Sequence, residues 1–147
     1  MKLNKKYIYA AKDNDFSSCS ALLLQGAEID TRCRFGYTAL HYSALHGNVG
    51  LCEFLVNKGA QIDLISDNES GKTPLIFAAE RGHATICLLL LNSGADGKRL
   101  VDLLNTNTAY FGGSNHQCTD ILRVWHAGIE AREAVMEIAG TKSIRCK

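Results

Sequence analysis

Few stretches of this 147-residue sequence combine residue types at spacings that could carry chemistry. The most suggestive is Asp67–Thr73 (DNESGKT), which follows an apolar, β-like stretch and precedes a helical pattern. Strand, Gly-Lys-Thr and helix form the setting in which a loop cradles the phosphates of a nucleotide. The full motif needs a glycine five positions before Gly71, and Ser66 stands there instead. No apolar strand ending in aspartate is at hand to hold Mg²⁺. An ATP- or GTP-binding enzyme built on Ser66–Thr73 is therefore kept only as an alternative. His83 and Cys87, four apart on one helical face, have zinc-ligand spacing, but no Cys-x-x-Cys pair completes a site. Cys19, Cys52 and Cys87 recur at intervals of 33 and 35 residues, as small core residues do. Glu130, Glu133 and Glu137 share one helical face and read as a solvated stripe, not as an acid–base pair. No nucleophile–base arrangement stands out. The expectation is a protein with no catalytic residues, no cofactor and no metal.

Gross composition narrows the remaining classes. Length allows one domain, and a chain of this size can bury a core without disulfide staples. Hydrophobic residues make up 46% and charged residues 21%, which argues against wholesale disorder. Sixteen basic and 15 acidic residues leave a net charge of +1, too little for general nucleic-acid binding. The longest apolar run, Ile86–Leu91, is far below the ~20 residues of a membrane span. The first fifteen residues show no signal-peptide pattern. These features predict a soluble cytoplasmic protein (a nuclear one is the other option) with reduced cysteines. Asn68-Glu69-Ser70 matches a glycosylation acceptor, which has no meaning inside a cell.

Self-similarity dominates the rest of the chain. Gly26-Ala27, Gly59-Ala60 and Gly94-Ala95 each close an apolar run, 33 and 35 residues apart, and Gly128 follows after 34 more. Thr38–Ala44 (TALHYSA) returns as Thr73–Ala79 (TPLIFAA), and Ala10-Ala11 precedes Ser43-Ala44 by 33. Each unit holds two short helical patterns, such as 39–46 and 49–57. Gly47 sits where the turn between them favours positive φ, and Gly59 where the second helix is capped. Thr38 and Thr73 are placed to cap first helices, and Pro74 occupies a first helical turn. Neither helix can bury its apolar face alone, so neighbouring units must stack.

These residues resemble the ankyrin repeat, whose pattern is Gly-x-Thr-Pro-Leu-His-x-Ala-Ala, a Gly-His turn, a Leu-rich helix and a closing Gly-Ala-Asp. Gly36–Asp63 and Gly71–Asp96 match closely. The resemblance implies an all-α solenoid of helix-turn-helix units joined by short β-hairpin fingers, with Gln61–Ile65 alternating as one flank of a finger. It divides a single domain over 1–140 into a half-repeat (1–30), two full repeats (31–63 and 64–96), a degenerate repeat (97–128) and a capping helix (129–140), followed by a mobile tail (141–147). Several departures stand out. The third finger has seven residues (Leu64–Ser70) against five (Thr31–Phe35), Ile76 replaces the histidine that His41 provides, and Gly112-Gly113 interrupts the fourth unit's first helix. Arg99–Leu104 suggests an extra helical turn. In size the chain is similar to ankyrin-built kinase inhibitors, but their distortion lies in a different repeat, so that activity is not carried over.

The resemblance further implies a non-enzymatic module, an adaptor or regulatory scaffold, that binds another protein through its fingers and first helices and is a monomer when free. By register the groove positions are Arg34, Phe35, Tyr37, Leu45 and His46 in the second unit. They are Glu69, Ser70, Lys72, Glu80 and Arg81 in the third, and Lys12 and Asp13 in the first. Arg34, Phe35 and Tyr37 form the expected anchor, because arginine and aromatics dominate interface energies. The competing expectation is that Phe35 and Tyr37 pack sideways on the next finger. A third possibility is a structural subunit docking by its first-repeat edge.

Overall fold

Three pairs of antiparallel helices follow one another along the chain. They are α1 (Leu3–Lys12) with α2 (Phe16–Leu24), α3 (Ala39–His46) with α4 (Val49–Asn57), and α5 (Pro74–Glu80) with α6 (Ala84–Asn92). A further helix, α7 (Lys98–Thr106), comes after them. The structure is a computed structural model and describes residues 2–68 and 71–106. Helix α1 packs on α3, α3 on α5, and α4 on α6, so the pairs form a stack.

Local chemistry sets the helix limits. Side chains of Asp15, Thr38, Asn48 and Thr73 accept hydrogen bonds from backbone N–H groups of the first turns of α2, α3, α4 and α5. Pro74 occupies the first turn of α5, where its missing N–H costs nothing. At the other ends, Gly26, Gly59 and Gly94 have φ of 103°, 90° and 99°. Each donates its N–H to the carbonyl three residues back, and the following alanine donates to the carbonyl five back. Three second helices thus end in the same αL cap, which satisfies carbonyls the helix leaves open. The turns between paired helices also share one form. Gly47 and Gly82 lie at φ 74° and 75°, and Asn14 takes the same place in the first unit at φ 60°.

Between the units runs the core. Tyr7, Leu40 and Leu75 are equivalent and fully buried, as are Cys19, Cys52 and Cys87 on the second helices. Hydrogen bonds repeat from unit to unit as well. Asp30 Oδ1 accepts from the Gln61 amide and Asp63 Oδ1 from the Asp96 amide, both at 3.0 Å. His46 Nε2 donates to the Lys12 carbonyl at 2.8 Å, and His83 Nε2 to the equivalent Leu45 carbonyl at 3.3 Å.

Two departures from sequence expectation concern the fingers. No β-strand occurs among the described residues. The second finger is a tight turn closed by Cys33 N–H to the Tyr37 carbonyl at 2.9 Å, and the third by Ser66 N–H to the Lys72 carbonyl at 3.0 Å. Fingers this short leave space for one cross-finger bond but no ladder. The alternation at 61–65 follows burial, with Ile62 and Leu64 half-buried and Gln61, Asp63 and Ile65 exposed. The expected extra turn at 99–104 is longer, a nine-residue helix. Helix α7 falls in the register that fingers occupy in the units before it. The first unit, read as a half-repeat, carries both of its helices. The degenerate repeat's remainder, the capping helix and the tail lie outside the described residues. Among the described residues, no helix is long and apolar enough to cross a membrane.

Candidate functional site

The side of the stack formed by the fingers and first helices holds most of the groove residues singled out by register. Its frame is set by His41. The Thr38 amide donates to Nδ1 at 3.1 Å, which leaves the ring proton on Nε2, donated to the Lys72 carbonyl at 3.1 Å. One buried imidazole thereby joins the start of α3 to the third finger. Burial outweighs the carbonyls of Lys72 and Leu64 and lowers the imidazole pKa to about 4, so the ring is neutral.

Beside this ring stands Tyr37, half-buried. Its ring packs on Phe77 at 5.2 Å, on Tyr42 at 5.7 Å and on His41 at 5.8 Å. Its hydroxyl accepts from Asn68 Nδ2 of the next finger at 2.8 Å. Tyr37 therefore packs sideways and fixes two fingers together. Arg32 does similar work, donating to the Ile65 carbonyl at 3.0 Å and pairing with Asp67 at 3.2 Å.

Phe35 behaves differently. It remains 47% exposed, with the Arg34 guanidinium 4.6 Å above its ring centre. Ile65 on the adjacent finger is 44% exposed. The Phe35 carbonyl accepts from the Asp67 amide at 3.0 Å, so its backbone is held while its side chain faces outward.

Farther along, Lys72 and Glu80 replace the Tyr37 and Leu45 of the preceding unit. They form a half-buried ion pair, with Nζ 2.8 Å from Oε1 and 3.0 Å from Oε2 and 5.7 Å from the Phe77 ring centre. His46 is exposed, stacked on Tyr42, and its Nε2 is committed to the Lys12 carbonyl. Leu45 is half-buried and Arg81 exposed. Glu69 and Ser70 lie outside the described residues.

Chemistry of a catalytic kind finds little support in these arrangements. Ser66 is buried, with its hydroxyl donating to Asn68 Oδ1 at 2.7 Å and accepting from the Lys72 amide at 2.9 Å. The serine, the lysine amide and the lysine ammonium of the phosphate-loop-like segment are thus all engaged within the protein. His83 faces the Leu45 carbonyl and Cys87 is in the core. Among the described residues, no group of three or more His, Cys, Asp or Glu side chains is placed to hold a metal. Burial pushes the Cys19 and Cys52 thiols up to about 11, away from nucleophilic chemistry.

A family profile described as ankyrin repeats, in three copies, matches residues 7–100. The chain belongs to the ankyrin repeat family. Ankyrin repeats are generally protein–protein interaction modules, typically without catalytic activity. In this ankyrin protein the match runs from the middle of α1 to the start of α7. Sequence register does not single out Tyr9, Tyr42, Phe77 or Ile65; Tyr9 and Ile65 are exposed, and Tyr42 and Phe77 are buried behind Tyr37. The signal for the aromatic row was present, since Tyr9, Tyr42 and Phe77 are 33 and 35 apart. Ile65 left no such trace, because its exposure follows from the lengthened finger.

Proposed function

We propose that this ankyrin stack is an adaptor or regulatory subunit that binds one partner protein, with Arg34 and Phe35 as the anchor. Leu45, His46, Lys72, Glu80 and Arg81 form the floor, and Glu69 belongs to the same surface by register. Tyr37 serves the site by holding the fingers in place. The observation that carries this proposal is the half-exposed Phe35 ring under Arg34, on a finger whose backbone is tied to the next one. A large aromatic left open on a rigid base is the kind of residue that dominates an interface. The free chain is proposed to be a monomer in the cytoplasm.

Affinity capture from the native cell, with an Arg34→Ala/Phe35→Ala chain as control, tests this. Loss of one specific partner in the control, with thermal stability unchanged, is the expected result. Equal capture by both chains counts against it. A structural-subunit role has one observation in its favour, an open groove of about 550 Å³ between α1 and α2 lined by Lys6, Tyr9, Ala10 and Leu22 among others. Capture that survives the control but is lost with Tyr9→Glu selects that role. The nucleotide-binding alternative is checked by titration with ATP and Mg²⁺, where heat or a thermal shift at millimolar nucleotide would revive it.

A further inference from the structure

We infer that the groove takes an acidic peptide segment of the partner. A carboxylate engages the edge of Arg34, and a neighbouring apolar side chain rests on Phe35 and Ile65. This rests on the binding role proposed above and adds the chemistry of what is bound.

Charge matching on this face supplies the reason. Asp67 is neutralised by Arg32 and Glu80 by Lys72. Arg34 has no carboxylate within ion-pair distance among the described residues, and its guanidinium lies over the Phe35 ring. Stacking occupies the flat face of a guanidinium and leaves its N–H edge, the part that matches a carboxylate in bidentate fashion. It also restricts the side chain before binding, so less freedom is lost when the carboxylate arrives. By repeat register two further exposed cations belong to the same face, Lys12 at the end of α1 and Arg81 just after α5, with Asp13 as the exposed acid beside Lys12. The cations are spread over three units, one to each. That distribution suits an extended peptide crossing the stack. A nucleic acid would call for a dense positive field, which a net charge of +1 does not provide.

The apolar half of the inference follows from position. Phe35 and Ile65 are the exposed large apolar residues of two neighbouring fingers, and the Asp67 amide bonded to the Phe35 carbonyl keeps those fingers side by side. A peptide residue that sits on both lies close to the arginine stacked on one of them. The preferred sequence therefore has Asp or Glu within about two positions of a large apolar residue, since alternate residues of an extended strand share a face.

Selection of a random dodecapeptide phage library on the immobilised full chain tests the inference. The expected result is enrichment of Asp or Glu within two positions of Leu, Ile, Phe or Trp. A synthetic peptide of the enriched sequence should bind Arg34→Gln about 10-fold more weakly than wild type. Selection on Arg34→Glu should turn the preference toward Lys or Arg. Enriched peptides without acidic preference that still lose binding to Phe35→Ala would overturn acid recognition and leave the groove standing. Peptides indifferent to both substitutions would remove the groove as well. Enrichment of nothing overturns the inference, while the cellular capture experiment still decides the binding role. Circular dichroism melting of each variant separates lost recognition from lost fold.

Discussion

The Nε2 atom of His41, in α3, lies 3.1 Å from the carbonyl oxygen of Lys72, a residue 31 positions later on the third finger. The other nitrogen, Nδ1, accepts from the Thr38 amide, and that second bond exists only while Nδ1 is unprotonated. The ring that joins α3 to the third finger is therefore held by one bond that needs it neutral and one that does not.

That need for a neutral ring fixes a pH dependence. The unfolded chain takes a proton on His41 as pH falls through about 6.5, whereas the folded chain does so only near 4. The stabilisation is complete above the unfolded value and is lost as pH falls from 6.5 toward 4. Its size is about 3 kcal/mol. Urea denaturation of wild type and His41→Gln at pH 7 and pH 4.5 reads it. The stability gap between the two should narrow at the lower pH, and a constant gap would show that neutrality of this ring does not matter.

Gly47 combines positive φ with a close neighbour. A Cβ built there would lie 2.6 Å from Cε1 of His83. Gly47→Ala should lose about 2 kcal/mol or more, through strain in the αL conformation and displacement of His83. In a His83→Ala background the steric part disappears and the cost should fall to about 1 kcal/mol. Equal losses in both backgrounds would remove His83 from the account.

The Lys72–Glu80 pair should be worth little as a pair and more when broken. Each partner keeps about a fifth of its side-chain surface exposed, so solvent screens the attraction. Replacing both by Met and Leu should change stability by less than about 1 kcal/mol. Glu80→Leu alone, which leaves the ammonium against an apolar wall, should lose about 1–2 kcal/mol. Thermal melts of the single and double variants measure the difference.

Much of this architecture was legible in the sequence because it depends on few residues with narrow requirements. Only glycine fits easily at the φ of 26, 59 and 94, so the period could be read from them directly. Thr38 and Thr73 capped helices as their chemistry predicts. The groove was less legible, because its positions carry different residues in each unit and obey pairwise contacts instead of a pattern. Register alone put Tyr37 and Phe35 in one class, and the ring contacts of Tyr37 with His41, Tyr42 and Phe77, together with its hydrogen bond from Asn68, separate them. Register assigned Lys72 and Glu80 to the groove, but nothing in their spacing of eight announced that they meet in a half-buried pair. Likewise α7 showed only a brief apolar pattern, since a helix in a finger's register breaks the period that revealed the others.

Thiol reactivity should divide along the same lines as burial. Cys19 and Cys52 are fully buried, with pKa raised to about 11, so at pH 8 about a thousandth of each would be thiolate even with solvent access. Both should resist an aromatic disulfide reagent in the native state and react at once in 6 M guanidinium, on the order of the denaturant needed to unfold a stable domain. Half-buried Cys33 should be modified ahead of them. Peptide mass mapping after timed labelling gives the order.

The hydrogen bonds from His46 to Lys12, from His83 to Leu45, from Gln61 to Asp30 and from Asp96 to Asp63 each reach one unit and stop. A pulling force applied at the chain ends would therefore load only the outermost seam, with the seams behind it still intact. The molecule should peel like a roll of coins, releasing about 110 Å of contour for each 33-residue unit set free. A partner spread across several units would rivet those seams together and make the peeling force rise.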